Sequence, residues 1–312
     1  MINSLNKAIS NLGKPYSSWA TSFKREAAKI IPTPIYIRLM YYHITGIKLN
    51  LKNPQTFTEK LQWMKVHYRN PLYTDRADKL KVREYIAKTL GNEFLVPLLG
   101  VYKRADDIDF DKLPNQFVLK CNHDSGSILI CKDKSNFDIE GAKAHLTKHI
   151  NTNYYYPSRE WQYKDISPKI LCEKYMADEM NEEINNYRIF CFSGEPKIIQ
   201  VVCDKFADKK LKFYFTDWHP IKNTISMMPE SDLILNKPDK LDDMLQIARK
   251  LSQGLPHVRV DLYLTYNKIY FSEMTFFDLG GNRNFKQQEF NLKMGSWLQL
   301  PEKNYSWFKG LR

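Results

Sequence analysis

At 312 residues, with 43% hydrophobic and 13% aromatic residues, the chain carries more apolar material than one typical core holds, which predicts a folded protein of two or three lobes. The five cysteines (Cys121, Cys131, Cys172, Cys191, Cys203) lack CxxC spacing and sit mostly in apolar runs, which argues against a disulfide frame or zinc site and for buried thiols in the cytoplasm. No stretch approaches the ~18 uninterrupted apolar residues of a membrane span, and no signal-peptide core opens the chain, so it is expected to stay inside the cell.

The net charge of +12 is uneven: residues 1–70 hold eleven Lys/Arg against Glu26 and Glu59 alone, a net +9. Without a helix-turn-helix, zinc-finger or RNP pattern, nucleic acid is not the expected partner. An anionic membrane face, here the inner face of the cell membrane, or an acidic polymer suits this charge. Within the segment, Ile30, Ile31, Ile35, Ile37, Leu39 and Met40 with Tyr36, Tyr41 and Tyr42 fit either an amphipathic surface or ordinary packing helices. Residues 1–70 thus read as a basic, mostly helical segment.

Further along, Asp75 is placed to cap a helix over 75–90, with Val82, Ile86 and Leu90 on one face and a stop at Gly91. FLVPLLGVY (94–102) predicts a short strand broken by Pro97. FVLKC (117–121) and ILIC (128–131) then form a hairpin around Asp124-Ser125-Gly126-Ser127. Such a turn needs no lysine, so Lys120 at its mouth is either a solvated strand end or the ammonium of a phosphate-binding loop. A polar helix near 138–151 leads to NYYYPSREWQYKD (153–165). There Tyr154, Tyr155, Tyr156, Arg159, Trp161 and Tyr163 combine aromatic faces with cations, suited equally to a sugar bearing a carboxylate and to core packing. ILCEKYM (170–176) is a strand running into Glu173, Lys174, Tyr175 and Met176, which offers a carboxylate, backbone groups and apolar side chains, the three needs of a nucleotide base.

RIFCF (188–192), KIIQVVC (197–203) and KFYFTDW (212–218) predict antiparallel strands, and 239–253 an amphipathic helix ending at Gly254. The last element, HVRVDLYLTYNKIYFSEMTFF (257–277), predicts a hairpin. A three-residue loop centred on Asn267 sets Asp261 opposite Glu273, with Arg259 two residues away on the same face; a two-residue turn would send the two acids to opposite faces. Facing carboxylates in apolar strands repel unless a cation lies between them, and oxygen ligands so spaced suit Mg²⁺ with phosphate oxygens completing its shell. Removing one of the pair is then expected to raise the melting temperature when metal is absent.

Taken together, TFTEKLQWMKVHYRNPLYTDRADKLKVREYI, FVLKCNHDSGS, REWQYK, YRIFCFSGEPKIIQV and VRVDLYLTYNKIYFSEMTFF resemble the TupA-like ATP-grasp family of cell-surface polysaccharide synthesis, over roughly residues 50–290. The resemblance implies an α+β, ATP-grasp fold: two α+β lobes on antiparallel sheets clasping a nucleotide, over 71–175 and 176–312, after the basic segment 1–70. It implies ATP and Mg²⁺ as cofactors. Lys120 would reach the phosphates beneath Ser125, Gly126 and Ser127; Glu173 would meet the adenine amine; Lys174, Tyr175 and Met176 would form the hinge; Asp178 or Glu179 would hold the ribose. Asp261 and Glu273 resemble the metal ligands and Arg259 the cation near the reacting carboxyl. Arg188 is a further phosphate or acyl contact, with Lys205, Lys209 and Lys212 as weaker candidates. Two departures are visible: Thr275 stands where many ATP-grasp enzymes carry Asn, and the loop has a single glycine.

The reaction so implied joins a carboxylate to an amine through an acylphosphate. Its substrates are expected to be a uronic acid of an envelope polysaccharide or its lipid-linked precursor, met by Arg159, Trp161 and Tyr163, and an amino acid or amine. His123 is expected to order the loop or to take part in catalysis. The alternative is a glycosyltransferase, for which Asp107-Ile108-Asp109 is the nearest Asp-x-Asp sequence, or a polymer-binding module without catalysis.

Overall fold

The computed structural model describes residues 30–177, 185–203, 210–222, 235–265 and 267–305. Helix α1 (Thr33–Thr45) starts on a proline-rich turn and ends where Gly46 takes a left-handed φ of 72°, its N–H closing on the Tyr42 carbonyl. Helix α2 (Phe57–His67) opens with a capping box: Thr56 accepts from the Glu59 N–H, and Glu59 accepts from the Thr56 N–H. Each helix buries one apolar face in the core shared with the larger sheet, Tyr36, Ile37 and Tyr41 from α1 and Phe57, Leu61 and Met64 from α2.

The helix expected over 75–90 is two helices, α3 (Leu72–Ala77) and α4 (Val82–Thr89), so Asp75 is not its cap. Asp78 breaks it. Its backbone is extended (ψ 111°) and its carboxylate accepts from the Leu80 N–H at 2.8 Å, an alternative to the helical bond that short acidic side chains offer. Asn122 donates to the same carboxylate oxygen at 2.9 Å, and the Lys79 N–H reaches the Asn122 carbonyl at 3.1 Å. This break is thereby stitched to the end of the Lys120 strand.

Strands β1 (Leu98–Tyr102), β2 (Phe117–Cys121) and β3 (Leu129–Cys131) precede helix α5 (Ile139–Ile150), the single turn α6 (Tyr155–Ser158) and β4 (Ile170–Lys174). They form an antiparallel sheet in the order β1-β4-β2-β3. Alternation sends Phe117, Leu119 and Cys121 into a small core with Leu146 of α5, and leaves Val118 and Lys120 on the other face.

The remaining strands are β5 (Asn186–Phe192), β6 (Glu195–Cys203), β7 (Lys210–Phe215), β8 (Pro220–Ile221), β9 (His257–Thr265) and β10 (Lys268–Thr275), with helix α7 (Leu241–Ser252) before β9 and α8 (Gln288–Trp297) after β10. They make a second antiparallel sheet, β10-β9-β5-β6-β7-β8. Helix α7 packs Met244, Ala248 and Leu251 against the face that carries Val258, Val260 and Leu262. On the opposite face Phe57 of α2 sits edge-on to Phe190, Phe192 and His257. The same face carries Arg188, Arg259 and Asp261. Among the described residues no helix is long and apolar enough to cross a membrane, and Cys121, Cys131, Cys172 and Cys191 are buried free thiols.

Candidate active site

The terminal hairpin pairs Asp261 with Glu273 as expected, by a different route. The ladder begins at Thr265–Lys268, one residue tighter than a loop centred on Asn267, and runs in that register to Leu262–Phe271. Left uninterrupted, it would set the two acids on opposite faces. A bulge between Phe271 and Glu273 restores the alignment, so that Glu273 faces Asp261 and Thr275 faces Arg259.

The cation between the facing carboxylates is Arg259. Its guanidinium makes two 2.7 Å bonds to Asp261, one at 3.2 Å to Glu273, one at 3.1 Å to Thr275 and one at 2.5 Å to Asp278. Asp278 is shared with Arg283, whose guanidinium also reaches Gln200 at 3.2 Å. Arg188, directly across from Asp261, lies 3.4 Å from its carboxylate. Three arginines and three acids thus balance on one sheet face. The two facing acids differ sharply in exposure: the Asp261 side chain is fully buried, whereas that of Glu273 is 36% exposed. Burial pushes the Asp261 carboxyl up to about 6 despite Arg259. For Glu273, burial also acts upward, but Lys79, Arg259, Arg188 and Lys120 prevail and hold it at about 2.

One of those cations, Lys120, comes from the other sheet, and Lys79 comes from the helix break stitched to it. Lys120 lies diagonally across from Glu173 on the open face and pairs with it at 2.6 Å; Arg83 approaches the same carboxylate at 3.4 Å and the Val96 carbonyl at 2.9 Å. Glu173, expected to await a base, is here an ion-pair partner. Beside them Val118 pairs with Ile130, which is 48% exposed, giving the open face an apolar patch next to its lysine. Lys174 closes β4 with its N–H on the Pro97 carbonyl, and Tyr175 and Met176 follow half-buried. Asp178, Glu179, Lys205 and Lys209 lie outside the described residues. Lys212 pairs with Val201, next to Gln200 on the strand, so alternation sets it on the face away from Arg188 and removes it from the candidate contacts.

In the loop after Lys120 only the tip is open: Ser125 and Gly126 are exposed, the glycine with φ 102° and no neighbour within 4 Å of a Cβ. Ser127 is turned inward. Its hydroxyl donates to Asp124 at 2.6 Å and accepts the Cys121 N–H at 2.8 Å, so it shapes the loop and does not grip a phosphate. Asp124 meets His149 of α5 at 2.5 Å, and its carbonyl accepts from Lys79 at 2.5 Å. His123 is buried with its ring Nε2 3.2 Å from the Thr152 carbonyl, which fits loop ordering. Burial raises the Asp124 carboxyl, but bonds from His149 and Ser127 and the charge of Lys79 outweigh it and leave it lowered. A depressed carboxylate stabilises the fold above its unfolded pKa and loses that contribution as pH falls through the folded value. The gap in urea midpoint between wild type and Asp124→Asn should therefore be widest above about pH 4 and close in stronger acid. A gap independent of pH would mean that packing alone is lost.

The residues expected to meet a sugar are interior instead. Arg159, 2% exposed, holds the Ile31 carbonyl at 3.1 Å and lies over the Tyr36 ring at 4.4 Å. Trp161 stacks on Tyr73 with Arg69 at 4.9 Å, and Tyr163 is buried edge-on to Tyr154. Aromatic and cationic groups interleave here because cation–π contacts serve packing as well as recognition. Asp107 and Asp109 are held locally by Arg104 at 2.8 Å and Lys112 at 2.7 Å.

Four charged groups at the site were not singled out from sequence: Lys79, Arg83, Asp278 and Glu160. Lys79 and Asp278 follow the Asp78 break and the β10 strand, and the only signals were an Asp-Lys pair and a Gly-Gly turn. Glu160 is buried near Lys65, whose ammonium bridges the Ser158 carbonyl at 2.7 Å and the Gly280 carbonyl at 2.6 Å. Burial raises the Glu160 carboxyl and lowers the Lys65 ammonium.

For Mg²⁺ the donor set fits, in the sense that a cation taking waters and phosphate oxygens needs few protein carboxylates. Glu273, open on one side, is available to it; Asp261 would exchange an Arg259 bond. No group of three His, Cys, Asp or Glu suited to a metal occurs among the described residues.

A family model described as TupA-like ATPgrasp matches residues 59–299. No curated protein matches the chain. Among solved structures, D-alanine–D-alanine ligase from Bacillus anthracis complexed with ATP aligns at TM-score 0.37 and 16% identity, covering 65% of this chain and 55% of that one. The ATP-grasp ligase PsnB complexed with a phosphomimetic variant of its minimal precursor, Mg and ADP aligns at 0.39 and 9%, over 67% and 53%. The ligase from Helicobacter pylori aligns at 0.35 and 16%, over 72% and 61%. The chain thus spans little more than half the length of the first of these.

Proposed function

As this chain belongs to the TupA-like ATP-grasp family, we propose that it is an ATP-dependent ligase that joins a carboxylate to an amine, with ATP and Mg²⁺ as cofactors. Its acid substrate is a uronic acid of a cell-surface polysaccharide or lipid-linked precursor, and its nucleophile an amino acid or amine. One observation carries the reading: Lys120 and Lys79, from the smaller sheet and the helix break stitched to it, act on Glu273 of the larger sheet together with Arg188 and Arg259. Cations from two lobes therefore converge on one carboxylate.

In that arrangement Lys120, Lys79 and the Ser125-Gly126 backbone bind the phosphates, as ammonium groups and loop N–H groups suit an anion. Val118 and Ile130 pack the base, with Met176 at the end of β4. Arg188 stands where charge develops on the transferred phosphoryl group and the acyl oxygen, while Arg259 orients Asp261 and Glu273. Magnesium, when bound, supplies further neutralisation of phosphate charge. No protein nucleophile is required: the chain's task is alignment and charge stabilisation.

The experiment is to incubate the protein with ATP, Mg²⁺, a panel of uronic-acid acceptors and a pool of amino acids. ADP and phosphate should form only when both an acid and an amine are present. Release of a nucleoside diphosphate from a sugar donor, without ADP formation from ATP, would replace the ligase by a glycosyltransferase.

A further inference from the structure

Helix α1 is apolar on two faces. Tyr36, Ile37 and Tyr41, 1–3% exposed, face the core. Opposite them Ile35 (51%), Arg38, Leu39 and Tyr42 (62%) form a stripe at helical spacing, prolonged by Ile47 beyond Gly46 and preceded by Ile30 (81%). An outward face of this kind is a costly arrangement for a helix that meets only water. The segment that carries it is basic in sequence: residues 27–58 contain Lys29, Arg38, Lys48 and Lys52 and no Asp or Glu, and Glu26 is the sole acid of the first 58 residues.

We propose that the Ile35–Tyr42 stripe of α1 docks on an anionic lipid bilayer, with Ile30, Ile35, Tyr42 and Ile47 entering the interfacial layer and the flanking Lys and Arg groups meeting lipid phosphates. Aliphatic and tyrosine side chains beside snorkelling cations suit that boundary. Charge favours this occupant over a second copy of the chain, because two surfaces this basic repel each other while an anionic leaflet attracts either. None of these residues belongs to the cleft, so the docking and the ligase reading stand or fall separately.

The test is flotation of the full chain with vesicles of phosphatidylglycerol and phosphatidylcholine, or of phosphatidylcholine alone. Binding should require the anionic lipid and weaken at high salt. Ile35→Ser combined with Tyr42→Ser should lower the partition coefficient by about tenfold or more, with melting temperature and ATP response retained. Arg38→Gln should lower it less. Equal binding to both vesicles, or double-variant binding equal to wild type, would overturn the proposal, the latter by placing the contact elsewhere in the chain. A dimer abolished by the same double substitution would also overturn it, by making the stripe a contact between copies.

Discussion

Glu273→Gln should lower ATP turnover by about 10²–10³-fold, the range for losing one group placed at developing charge, and lower the melting temperature only modestly, because the cations that depress its carboxyl favour the ionised form while solvent screens a side chain 36% exposed. Asp261→Asn should lower turnover by a similar factor and also unfold more easily, by on the order of 3 kcal/mol, since it leaves a buried guanidinium under-matched. The difference follows from placement: the Glu273 side chain is 36% exposed with its Arg259 contact at 3.2 Å, whereas the fully buried Asp261 takes two bonds of 2.7 Å. This reverses the expectation that removing either acid relieves repulsion, because Arg259 already separates them. The double variant should turn over little more slowly than either single one, as groups acting as a unit are not additive. Turnover in Asp261→Asn equal to wild type, together with lowered stability, would make the buried network a structural device only.

Lys120→Met should abolish the rise in melting temperature that ATP with Mg²⁺ produces by mass action. The substitution alone also breaks the 2.6 Å pair with Glu173, whose partners are 13% and 9% exposed, so a fall in apo stability is expected with it. A second variant separates the two effects. Lys120→Met with Glu173→Gln removes both charges of the pair while leaving an amide oxygen for Arg83, 3.4 Å away, and should recover much of the apo melting temperature without the ATP response. Differential scanning fluorimetry on the two variants decides it: a full ATP shift in the double variant would remove Lys120 from the phosphate site.

The strands and the α7 helix were legible because their apolar residues recur at the spacing of their elements, and burial followed that pattern. The Asp261–Glu273 pairing was legible only in outcome. Register depends on turn length and bulge together, and Ser272 carries no mark that it would be the extra residue. The split at Asp78 was hidden because Val82, Ile86 and Leu90 keep helical spacing whether or not a turn earlier is broken. Arg159, Trp161 and Tyr163 misled because the side chains that recognise a charged sugar are the ones that pack a helix turn against Tyr36 and Tyr73. Ser127 resembled a phosphate ligand in sequence, but one residue of turn geometry directs its hydroxyl to Asp124 and not to the loop tip. Lys79 and Asp278 gain their role from contacts remote in the chain, for which local spacing gives no sign.

The bulge at Ser272 makes the hairpin a device that carries one residue too many beyond a tight turn. Deleting Ser272 should remove the bulge alone: Phe271 still pairs with Leu262, the next residue is Glu273, and it faces Asp261 across a straight strand. Inserting a further residue after Ser272, with no second bulge to absorb it, should instead carry Glu273 and Thr275 to the α7 side of the sheet. Homologous chains are thus free to drop the residue between Phe271 and Glu273, so a one-residue gap there should occur without any change in the turn.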